Sequence, residues 1–173
     1  LITCSREENA DKSWATIGGM GLTGIIVSAK FKLKNIESVY IRQESIKAQN
    51  LDEIFQLFDE SESWTYNVAW IDCLQLDKNI GRSIMMRGEH AFAHELPEKL
   101  KENKLKIKPT FQPTVPFYFP NFILNNLTVK IFNWLFYNKQ RSKELKNFIN
   151  YEKFFYPLDA IHDWNKIYGK KGE

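Results

Sequence analysis

The chain has 173 residues, of which 43% are hydrophobic and 26% charged, which supports a folded core and excludes global disorder. A net charge of +3 is too small to argue for nucleic-acid binding. Cys4 and Cys73 lack metal-ligand spacing and read as free thiols rather than a disulfide framework.

Leu1 to Cys4 reads as a short strand, and Ser5-x-x-Glu8 as a capping box opening a brief helix through Trp14. Four glycines follow in the run Gly18-Gly19-Met20-Gly21-Leu22-Thr23-Gly24. Such a cluster marks a tight turn or a close approach of a ligand to the backbone. Gly19-x-Gly21-x-x-Gly24 also fits the dinucleotide fingerprint, but that motif needs a strand before it and a helix after it. Here the order is reversed, which excludes a Rossmann site. Ile25, Val27, Ala29, Phe31 and Leu33 then alternate with Ser28, Lys30, Lys32 and Lys34, the pattern of a half-buried strand. Composition changes near Asn35, and a boundary is placed there, giving segments 1–35 and 36–173.

In the second segment Ser38 to Ala48 reads as a strand. Asn50 can cap a helix whose apolar face is Leu51, Ile54, Phe55, Leu57 and Phe58, expected to lie against a sheet. Trp64 to Leu74 is a strand with Trp64, Tyr66, Val68 and Trp70 on one side. Asp72 continues that side, which suggests a face reaching solvent or ligand at its end. Gly81 leads into a further strand, Ser83 to Arg87. This order predicts an α+β fold, an antiparallel sheet with helices packed on one face.

A short lysine-rich helix is expected after Pro97, then a loop broken by Pro109, Pro113, Pro116 and Pro120. Phe122 to Tyr137 is strongly apolar and aromatic but too short to span a bilayer. It reads as a core helix, with a helix lying on a membrane surface as the alternative. Phe148 to Tyr156 reads as a strand, and a last helix is expected from about Asp159 to Tyr168. His90 and His94 have i,i+4 spacing, but no third ligand accompanies them, so no metal site is assigned. No nucleophile turn for a Ser/His/Asp triad is present, and no catalytic residue is assigned from the sequence.

The run W-A-T-I-G-G-M-G-L-T-G-I-I from Trp14 to Ile26 resembles the closing segment of the FAD-binding domain in vanillyl-alcohol-oxidase-type flavoproteins. Within them, Y-N-V-A-W-I-D (Tyr66 to Asp72), Gly81-Arg82 through Arg87-Gly88, Pro157-Leu158-Asp159 and Trp164-Asn165-x-x-Tyr168-Gly169 resemble the decaprenylphosphoryl-ribose 2-oxidase group. The similarity runs from about Thr3 to Gly172. It implies that residues 1–35 are a strand-helix-strand remnant of an FAD-binding domain and 36–173 an incomplete substrate-binding cap. It also implies that Gly18, Gly19, Gly21, Thr23, Gly24, Ile25 and Ile26 contact FAD, and that Val68, Trp70, Phe155 and Tyr156 line the substrate pocket. The pyrophosphate loop and the histidine-bearing flavin segment of similar oxidases are not found in the sequence. It stops before their pocket glutamines and before their later lysine and cysteine positions, and the chain is read as a fragment, inactive alone.

The reaction implied for the complete protein is oxidation of a sugar C–H, either 2-oxidation of a polyprenylphosphoryl pentose, a precursor of cell-wall arabinan, or a related sugar or lactone oxidation. A reductase partner in an epimerisation pathway follows from the same resemblance. Lys12-Ser13 stand where the family has two apolar residues, Val68 where it often has serine and Phe155 where it often has tyrosine, so the substrate's identity stays open. Trp70 has a second reading, as a core tryptophan. The competing function is an independent interaction or membrane-surface module built on Phe122–Tyr137. With no signal peptide or transmembrane helix in view, a cytoplasmic location or a peripheral one at the inner membrane is expected.

Overall fold

One strand, β1 (Tyr40–Ala48), sits at the middle of a four-stranded antiparallel sheet of order β2-β3-β1-β4, with β2 Tyr66–Ile71, β3 Ser83–His90 and β4 Glu144–Asn150. A computed structural model describes residues 1–107, 112–120 and 122–170. The chain divides into two compact units, Leu1–Asn35 and Ile36–Glu173.

The first unit holds one helix, α1 (Ala10–Thr16). The Ser5 hydroxyl accepts from the amides of Glu7 and Glu8 at 3.1 and 3.0 Å, as a cap should. The Ser5 amide, however, donates to the Glu8 carbonyl at 2.7 Å, closing a turn in place of a helix start. Asn9 then takes the left-handed conformation and precedes the helix. The strands expected at Leu1–Cys4 and Ile25–Leu33 do not form. Alternation supplies a face, but a strand also needs a neighbour for its amides and carbonyls, and none pairs with these segments among the described residues.

In the second unit α2 (Leu51–Glu60) begins where Asn50 accepts from the Glu53 amide at 3.0 Å. Ile54 is buried with Ala48 and Met85, and Leu57 and Ala69 pack beside them. Leu51, Phe55 and Phe58, expected against the sheet, stay exposed, Phe55 to 59%. The strands offer alanines at Ala48 and Ala69, so the helix settles along its Ile54–Leu57 line and the rest of its apolar stripe turns outward.

Strand register sorts the side chains. Ile46 faces Met85 and Ala48 faces Ser83, placing these on the α2 side; Gln43 faces Gly88 and Ser45 faces Met86 on the opposite side. That opposite side meets α4 (Asn126–Lys139) and α5 (Tyr151–Phe155) through contacts described below. Helices therefore cover both faces, not one. The class remains α+β with an antiparallel sheet.

Gly88 explains the end of the chain. A Cβ there would collide with the Ile41 side chain and meet the Phe154 ring at 3.1 Å. Phe154 thus fills the gap that glycine leaves. Strand β4 accordingly stops at Asn150, whose side chain accepts from the Glu152 amide at 2.9 Å and turns residues expected to continue the strand into α5. The expected last helix is replaced by two 3-10 turns, Leu158–Ala160 and Trp164–Tyr168. Between them His162 spends its backbone on the proline-rich segment, donating to Pro113 at 2.9 Å and accepting from Val115 at 3.0 Å. Of that segment, Lys108, Pro109, Thr110, Phe111 and Asn121 lie outside the described residues. After Pro97 only a single turn of helix forms, α3 (Glu98–Lys101).

Candidate functional site

Period-two alternation puts Tyr66, Val68 and Trp70 on one face of β2, opposite Gly88, Met86 and Ile84 of β3. This is the face that α4 and α5 reach. Phe155 joins it through α5: its ring meets Tyr66 edge-on at 4.9 Å between centroids and Phe154 at 5.0 Å. At the other end Trp70 lies 4.6 Å from Phe136 of α4, which in turn stacks on Phe132 at 6.0 Å. Val68, on the alternate position between Tyr66 and Trp70, is open to solvent, as is the outer side of Phe155. Three of the four residues expected at a substrate pocket therefore share one wall: aromatic at each end and aliphatic between. Tyr156 meets Phe155 edge-on at 6.3 Å between ring centroids. It also lines a hollow of about 200 Å³ with Gln112, Tyr151 and Asp159.

Beyond Trp70 the chain turns Asp72 inward, and its carboxylate has no exposed surface. It accepts from Arg82 at 2.6 Å, Asn133 at 2.7 Å, Gln75 at 2.8 Å and the Leu74 amide at 3.2 Å. Burial alone pushes this carboxyl up, but the hydrogen bonds from Arg82, Leu74, Asn133 and Gln75 outweigh it and hold the group below its ordinary value. The expectation that Asp72 marks an opening to solvent or ligand is thus corrected. Asp72 is a clamp that fixes α4 through Asn133, and so positions Phe136 against Trp70. The Arg82 guanidinium also lies 4.6 Å from the centre of the Tyr137 ring, tying a second α4 residue to the same point.

From the sequence Arg82 enters only as part of the Gly81-Arg82 motif, with no role, and Asn133 not at all. The signal for Asn133 is an amide in the middle of the apolar run Ile131–Phe136, and it is the buried residue of α4. The helix expected to bury its aromatic residues leaves Leu127, Phe132, Trp134 and Leu135 exposed. The reason is that the sheet beneath is already occupied by Trp70 and the clamp. His90 sits at the end of β3 with Nδ1 3.0 Å from the Ser38 carbonyl, and His94 stacks on Phe92.

In the first unit, Gly18, Gly21 and Gly24 have positive φ and open space where a side chain would point. Gly19 differs, because a Cβ there would strike the Ala15 carbonyl, so it is glycine for the sake of the helix end. Thr23 donates to the Thr16 hydroxyl at 3.2 Å, and Ile25 and Ile26 are exposed. These residues present a bare backbone edge. They fit a contact with one side of a flat cofactor such as FAD, and by themselves they do not enclose it.

The α+β domain thus carries a half-open wall of aromatic and aliphatic side chains, with the buried Asp72–Arg82 ion pair at one end. Compared with models of known families, the chain matches none. Among curated proteins it is similar to decaprenylphosphoryl-β-D-ribose oxidase of Mycolicibacterium smegmatis, 35% identical over 167 residues, 95% of this chain. It is also 31% identical over 96 residues to an uncharacterised protein in the mprA 5' region of Streptomyces coelicolor, 55% of this chain. The chain spans 36% and 26% of the lengths of these two proteins. Related to the oxidase along nearly its whole length, the chain corresponds to about a third of it.

Proposed function

We propose that this chain is the substrate-covering part of an FAD-linked oxidase acting on a C–H bond of a lipid-linked sugar, and is inactive by itself. The single observation that carries the reading is the similarity to decaprenylphosphoryl-β-D-ribose oxidase over 95% of the chain. Bound FAD would supply the hydride acceptor, with Gly18 to Ile26 contributing one edge of its site. The sheet wall does the orienting. Trp70, buttressed by the tilted Phe136 ring, offers an aromatic surface to the apolar face of a sugar ring, and Val68 and Phe155 extend it for an isoprenoid chain. Val68 and Phe155 offer no hydroxyl here, so the sugar would be gripped by shape more than by hydrogen bonds from this wall.

The test uses the complete oxidase. Trp70→Ala should lower turnover of a polyprenylphosphoryl pentose far more than it lowers thermal stability or flavin absorbance. Unchanged turnover, or a loss explained wholly by unfolding, returns Trp70 to a packing role. A complete protein with no flavin spectrum overturns the oxidase reading itself.

A further inference from the structure

The side of α4 that faces away from Asn133 carries Leu127, Ile131, Trp134 and Leu135, spaced i, i+4, i+7 and i+8 along one stripe. All four are between 50% and 67% exposed. A helix of 100° per residue puts Lys130 and Lys139 on either flank of that stripe. The chain segment that carries the stripe has charge of one sign. No Asp or Glu occurs from Asn103 to Lys143, a stretch that carries Lys104, Lys106, Lys108, Lys130, Lys139, Arg141 and Lys143. No helix among the described residues is long and apolar enough to cross a membrane, so the stripe cannot be the lipid face of a span.

We propose that α4 docks in the plane of an anionic lipid bilayer, with Leu127, Ile131, Trp134 and Leu135 in the interface and Lys130 and Lys139 reaching the headgroups. Apolar burial and attraction of flanking cations to anionic lipid act together in such helices, and tryptophan favours the headgroup level. The acid-free segment around α4 and the two lysines flanking its stripe favour this occupant over a second copy of the chain. Two copies meeting through α4 would bring like charges together, whereas an anionic surface neutralises them. The docking does not depend on the oxidase reading. If both hold, α4 stands between lipid and wall, with its stripe in the bilayer and Phe136 on Trp70.

Sedimentation of the 173-residue chain with vesicles tests this, using pure phosphatidylcholine against equal parts phosphatidylcholine and phosphatidylglycerol. Binding is expected to the anionic vesicles, to weaken with salt, and to shift tryptophan emission to the blue. Leu127→Asp with Ile131→Asp should abolish it. Lys130→Gln with Lys139→Gln touches no packed residue and should lower the partition coefficient by about thirtyfold, from ~1 kcal/mol per cation at an anionic surface. Absence of binding to anionic vesicles, or binding unchanged in the lysine variant, overturns the proposal. So does light scattering that shows a dimer which the aspartate variant splits, because the stripe would then join two copies. None of these readouts uses flavin or turnover, so the outcome is separate from that of the oxidase test.

Discussion

Removing the Asp72 carboxylate should be the most damaging single change in the second unit. Asp72→Ala deletes four hydrogen bonds at once and strands Arg82, whose side chain is only 15% exposed. Breaking a buried pair by removing one partner costs about 3–5 kcal/mol. Arg82 keeps some access to water and its stacking on Tyr137, so the lower end, about 3 kcal/mol, is expected. For a unit of this size that corresponds to a drop in Tm of about 9–15 °C. Asn133→Ala removes one of the four bonds and leaves the ion pair, so it should cost about 1–2 kcal/mol. Urea unfolding followed by circular dichroism and by tryptophan fluorescence gives both values. The fluorescence also reads whether Phe136 still lies on Trp70. A loss below about 0.5 kcal/mol for Asp72→Ala, typical of a surface change, would refute the clamp. So would an Asn133→Ala loss as large as that of Asp72→Ala.

The same pair sets an acid limit. The folded Asp72 titrates below its ordinary value of 3.8, so its contribution is complete above the unfolded pKa and is lost as pH falls through the lower folded one. Stability should therefore drop below about pH 4, and Asp72→Asn should flatten that part of an acid titration; an identical profile would count against it. Ile54→Ala should cost about 2–4 kcal/mol and Phe55→Ala less than 1 in the same urea assay, since only the first is buried; equal midpoints would misplace α2. Gly81→Ala should lower the urea midpoint steeply, because φ is +79° and a Cβ would stand 2.8 Å from the Leu51 backbone; a neutral result would contradict the turn. The isolated chain, offering FAD a single bare edge, should elute from a desalting column without a flavin spectrum, and a yellow eluate would overturn its proposed dependence on the rest of an oxidase.

Period-two alternation was enough to place Val68 and Trp70 on one face, and Asn50 announced α2 unaided. Phe155 could not be added that way, since its position depends on α5 forming where a strand was expected. That depends in turn on Phe154 finding the gap above Gly88, a contact between residues far apart in sequence. Strand β4 hid for a related reason. Glu144, Lys146 and Asn147 lie at an exposed sheet edge and show no apolar alternation to read. Ile25 to Leu33 has the clearest alternation in the chain and forms no strand, because periodicity names a face and not the neighbour that must hydrogen-bond to it. Asp72 and Asn133 were each visible as polar residues in apolar company, but not as partners.

The sheet order has a consequence for the sequence of events in folding. Strands β2 and β3 meet across a short connection, and β1 closes on β3 over a moderate one. Ser45 of β1, however, faces Leu145 of β4, a hundred positions later. Contacts of such separation form slowly, because chain entropy must be lost before anything is gained. Once Asn133 has caught Asp72, most of that distance is already bridged, and β4 needs only the short reach from Lys139 to Glu144 to find its edge. The buried carboxylate thus shortens the loop that pairing of the last strand must close, besides holding the helix in the native state.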